Sequence, residues 1–76
     1  MTTSELIKQI RLKAGLSQED FAREIHVSFT TVNRWENNKS TPNRMARALI
    51  SDYCEKHGLD EALIIAINNR METTGE

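Results

Sequence analysis

The stretch SQEDFAREIHVSFTTVNRWEN, residues 17–37, decides how this chain folds. Ser17 is followed three residues on by Asp20, a capping-box-like pair that predicts a helix start, and Leu16 with Phe21 would staple the incoming chain. Phe21, Ala22 and Ile25 recur at helical spacing and form the buried face of this second helix. His26 and Val27 make a very short link before Ser28, which caps a third helix burying Val32 and Trp35. Two helices joined this tightly cannot lie antiparallel side by side; they must cross steeply. Ala22 is small where the crossing is closest, and Ile25, Val27, Val32 and Trp35 fill the angle.

Outward from this core the period stays helical, with no alternating strand, internal repeat or low-complexity tract. Leu6, Ile7, Ile10 and Ala14 line a first helix that starts near Thr3 or Ser4 and is ended by Gly15. Asn37, Asn38 and Lys39 leave the third helix. Thr41-Pro42 predicts the start of a fourth, with Pro42 in the first helical position, where its missing N–H is not needed. Met45, Leu49 and Tyr53 form one row of helix 4, with Ala46, Ile50 and Cys54 beside it, and Gly58 stops it. Helix 5 is expected over about 60–71 and a flexible tail over 73–76. The expectation is an all-α domain of five short helices over residues 1–72, with connections of about two to six residues.

At 76 residues and 38% apolar composition the chain supports one small core, not a deep substrate cavity. The formal net charge is −1, which argues against a disordered polyelectrolyte or a generic basic coat. Charge is uneven, however. Residues 1–44 carry seven bases against five acids, and residues 45–76 three bases against six acids, so the front half can still meet an anion. One cysteine excludes a disulfide framework and a multi-cysteine zinc site; Cys54 and His57, three apart, lack further ligands. No Ser/His/Asp set or glycine-rich phosphate loop is present, so no catalytic residue, metal or cofactor is expected. No apolar run approaches the roughly 20 residues of a membrane span, and the N-terminus lacks a signal-peptide core. A soluble intracellular domain is expected.

Gly15-Leu16-Ser17-Gln18-Glu19-Asp20-Phe21-Ala22, Val27-Ser28, Val32-Asn33-Arg34-Trp35-Glu36-Asn37 and Pro42 stand at fixed spacing. Through them the chain, over about residues 5–57, resembles the repressor/Cro-type helix-turn-helix domains, also called the xenobiotic-response-element family. The resemblance implies a compact lambda-repressor-like fold and a cytoplasmic, nucleoid-associated protein of prokaryotic or phage type. Two positions depart from the pattern: His26 and Asn38 stand where the family usually has glycine. His26 is therefore expected at or near positive φ, at a cost of about 1 kcal/mol. A pH-sensing role for His26 is the functional alternative.

At 100° per residue, Val32 and Trp35 define the buried side of helix 3 and Thr30, Arg34 and Asn37 the opposite side, flanked by Asn33 and Phe29. The resemblance implies that the N-terminal part of helix 3 enters the major groove, which makes Phe29, Thr30, Asn33 and Arg34 the base-facing candidates. Arg34 suits guanine, Asn33 adenine, and Phe29 with the Thr30 methyl suits thymine methyls. For Phe29, packing on a neighbouring loop or another chain competes with that role. Gln18 matches a family position that hydrogen-bonds a phosphate. Ser28, Asn37, Lys39 and Arg44 are further phosphate candidates, aided by backbone amides at the starts of helices 2 and 3. The resemblance also implies an internal ion pair between Arg11 and Glu36.

Leu59, Leu63, Ala66 and Ile67 suffice to dock helix 5 on the domain, while Ile64 and Ile65 widen its apolar arc. Ile64 and Ile65 are expected to form a homodimer contact, burial within one chain being the alternative. A dimer would read two half-sites about 34 Å apart. The expected function is sequence-specific binding of double-stranded DNA in transcriptional control by a small dimer, with no effector pocket evident; a further reading is a self-contained DNA-binding domain whose sensor resides on another polypeptide. The competing reading is a protein-interaction module on the same fold, antitoxin-like or an accessory subunit.

Overall fold

Five helices and no strand are present among the described residues, 1–72, of the computed structural model. They are α1 (Thr3–Ala14), α2 (Gln18–Glu24), α3 (Phe29–Glu36), α4 (Arg44–Lys56) and α5 (Glu61–Glu72). The expected tail at 73–76 lies outside the described residues. Side chains of the chain's own short polar residues set most of the starts. Thr2 caps α1 in a full capping box: its Oγ1 accepts from Glu5 N at 3.1 Å, and its own N–H donates to Glu5 Oε1 at 2.9 Å. Ser17 Oγ accepts from Asp20 N, and Ser28 Oγ from Thr31 N. Gly15 ends α1 at φ 73°, a left-handed conformation that a Cβ would strain.

The core is the predicted one in nearly every part. Leu6, Ile7 and Ile10 of α1 meet Phe21, Ala22 and Ile25 around α2, Val32 and Trp35 of α3, and Ile50 and Cys54 of α4. Burial of each large side chain contributes about 1.5–3 kcal/mol, which this small domain needs. Phe21 meets Tyr53 edge-on, ring centroids 6.2 Å apart and planes at 87°, joining α2 to α4. α5 packs on α4 and α1, with Ile67 fully buried and Leu59, Leu63, Ile64 and Ala66 against the core.

Helix 4 departs from expectation. Pro42 is not its first residue: Asn43 is the cap, its Oδ1 accepting from Ala46 N at 2.8 Å, and Pro42 lies buried just before it. Asn accepts a hydrogen bond at a helix start and proline has nothing to offer there, so the boundary moves past Pro42. The buried side chain of Arg47 donates from Nη1 to the Pro42 carbonyl and holds this corner. The buried row of α4 is Ala46, Arg47, Ile50, Ser51 and Cys54, which keeps the expected Ala46, Ile50 and Cys54 and adds Arg47 and Ser51. Met45 is 73% exposed and, with Val27, Trp35 and Leu49, lines a cleft of about 290 Å³ instead of joining the core.

Candidate nucleic-acid interface

α2 and α3 meet through a corner that the backbone can make only with a left-handed residue. His26 supplies it at φ 64°, as expected, and Asn38 does the same at φ 60° after α3. Val27 N donates back to Ala22 O at 2.9 Å, which closes the corner over the small Ala22. Val32 and Trp35 are buried beneath α3, so rotation about its axis is fixed and its other side must face outward.

That outward side carries the candidates. Thr30 and Arg34 are exposed, Phe29 is 48% exposed, and Asn33 is half-buried at the edge. Arg34 bonds only weakly within the chain, Nη2 reaching the Lys39 carbonyl at 3.5 Å, so its guanidinium keeps most of its donors for another partner. Asn37 is the C-cap of α3 and donates from Nδ2 to Asn33 O at 2.9 Å. Ser28 uses its hydroxyl locally, accepting from Thr31 N and pairing with Thr31 Oγ1 at 2.8 Å. Lys39 lies exposed after α3, and Arg44, also exposed, opens α4.

Beneath the ridge lies a polar network. Arg11 Nε donates to Glu36 Oε2 at 2.6 Å and Nη2 to Oε1 at 3.0 Å, while Nη1 donates to the Leu16 carbonyl at 2.9 Å. The two side chains are 12% and 4% exposed, so this is a largely buried pair with its donors and acceptors matched. Gln18 joins it: Nε2 donates to Glu36 Oε1 at 2.9 Å, and Oε1 accepts from Asn33 Nδ2 at 3.1 Å. The amide of Gln18 therefore turns inward and keeps one N–H for an outside partner. Sequence reasoning treated Gln18 and Asn33 as separate surface groups and missed the bond between them. Its only signal was their common proximity to the Arg11–Glu36 pair, visible once helix 3 is placed across helix 2.

On α5, Ile65 is 52% exposed, whereas Ile64 is half-buried and packs against the core. No group of three or more His, Cys, Asp or Glu side chains that could hold a metal occurs among the described residues, and none of their helices is long and apolar enough to cross a membrane.

Residues 7–49 match the family described as helix-turn-helix. Over 53 residues the chain is 34% identical to the HTH-type transcriptional activator BcrR of Enterococcus faecalis. That alignment covers 70% of this chain but only 26% of the relative, so the chain spans about a quarter of that protein's length. No solved structure matches. With the crossed α2–α3 pair inside the matched residues, and the match covering more than half of the chain, this protein belongs to the helix-turn-helix family.

Proposed function

We propose that the protein binds double-stranded DNA in a sequence-dependent manner, laying α3 in the major groove, and that it regulates transcription as a homodimer. One observation carries this reading: a buried Val32–Trp35 face forces Thr30, Arg34 and the edge of Asn33 outward on a single short helix. An α-helix fits the major groove, where Arg34 can donate two bonds to guanine and Asn33 can pair with adenine. Phe29 and Thr30 offer apolar contact to thymine methyls. Exposed Lys39 and Arg44, the remaining N–H of Gln18, and Ser28 and Asn37 at the two ends of α3 are placed in the reading against phosphates. The regulatory role is supported by the name of the Enterococcus relative. Exposed Ile65 supports the homodimer contact, while half-buried Ile64 packs against the core of its own chain.

Salt dependence of binding to a labelled duplex tests the reading. With Lys39 and Arg44 on each of two subunits, log affinity falls against log salt with a slope of about −4, at about −0.9 per phosphate neutralised. Absence of duplex binding at low salt would refute it.

A further inference from the structure

We propose that Gln18 is a positioning residue for base reading: it sets which edge of the Asn33 amide faces outward, and so makes Asn33 a reader of adenine against guanine. The inference rests on the DNA-binding reading above. It begins at Glu36, whose ionised carboxylate has acceptors only. Arg11 holds both oxygens, through Nε at 2.6 Å and Nη2 at 3.0 Å. A Gln18 amide turned the other way would set its own oxygen against Glu36 Oε1. Its NH₂ must face the carboxylate, where Nε2 donates at 2.9 Å. The same choice aims Gln18 Oε1 at Asn33, which must then present its NH₂, and Nδ2 donates at 3.1 Å. Donor sense is thus fixed at every step from Arg11 to Asn33.

Asn33 is left with one N–H and its Oδ1. In the major groove adenine offers the N6 donor beside the N7 acceptor, whereas guanine offers the acceptors O6 and N7. An N–H/O edge locked in place matches adenine and sets Oδ1 against an acceptor on guanine. A freely turning amide can instead present both N–H groups to guanine and loses the discrimination. Arg11 and Glu36 touch no base in this scheme; they fix Gln18, and Gln18 fixes Asn33.

Gln18→Met keeps the side-chain length and removes the amide. The readout is the adenine-to-guanine preference at the duplex position that Asn33→Ala relaxes, measured by competition. The wild type prefers adenine by about tenfold there, the size of one good bidentate contact. Gln18→Met lowers this below about threefold, and adding Asn33→Ala lowers it no further. Because preference is a ratio, a uniform affinity loss from a missing phosphate contact or from lower stability cancels. A Gln18→Met variant that keeps the tenfold preference overturns the proposal. A wild type that selects no duplex refutes the DNA reading itself, and shows it before any Gln18 variant is compared. NMR of the Asn33 side-chain NH₂ in the free protein gives a DNA-independent check: its motion must rise in Gln18→Met, and unchanged motion overturns the positioning role.

Discussion

Arg11 and Glu36 lie 25 positions apart, yet the guanidinium grips the carboxylate through two nitrogens, at 2.6 and 3.0 Å. The pair ties α1 to the end of α3, and Ser4 Oγ adds a second tie by donating to the Glu36 carbonyl at 2.7 Å. α3 is therefore anchored from below at its C-terminal end, while its N-terminal end is set by the Ser28 cap.

Arg11→Ala should cost about 3–5 kcal/mol, because Glu36 would remain buried with its charge uncompensated. Urea unfolding followed by circular dichroism measures it. An unchanged midpoint would show that water reaches Glu36 and that the anchoring account is wrong.

His26→Gly should stabilise the fold by up to about 0.5 kcal/mol. Relief of a left-handed, β-carbon-bearing residue, about 1 kcal/mol, outweighs the added freedom of glycine in the unfolded chain. A lower urea midpoint in this variant would mean that the His26 side chain contributes contacts worth more than the strain.

Burial first, and then the nearby Glu55, push the Cys54 thiol up from an ordinary 9.0 to about 11. The folded state holds its proton where the unfolded chain has lost it. The stabilising contribution is thus complete below pH 9.0 and declines as pH rises towards 11. Native protein should resist iodoacetamide at pH 8 and react once unfolded; fast native alkylation would contradict this burial.

Ile65→Lys should convert a dimer to a monomer in sedimentation equilibrium and leave the helical signal unchanged, since the side chain is half exposed in the single chain. A wild type already monomeric at high micromolar concentration would remove the homodimer from the proposal.

Much of this architecture was legible in residues 17–37. Ser17 and Ser28 announce their helices by local chemistry, and Val32 with Trp35 fixes the face of α3 by spacing alone. His26 was readable as left-handed from the resemblance, because a tight α2–α3 corner needs such a backbone. The start of α4 was not: proline is favoured in a first helical turn but also precedes caps, and the choice fell to Asn43. The inward bond of Gln18 was hidden for a deeper reason. Whether a surface amide turns out to a phosphate or in to Glu36 depends on how two helices approach, which no local pattern encodes.

The most direct measurement of the central claim is selection from random duplexes with the wild type, Arg34→Ala and Lys39→Ala side by side. The wild type should return a consensus, and Arg34→Ala should relax a single position within it, by about 1–3 kcal/mol. Lys39→Ala should keep the consensus and weaken every sequence alike. An Arg34→Ala consensus identical to that of the wild type, or no consensus for the wild type, would contradict the placement of α3 against the bases.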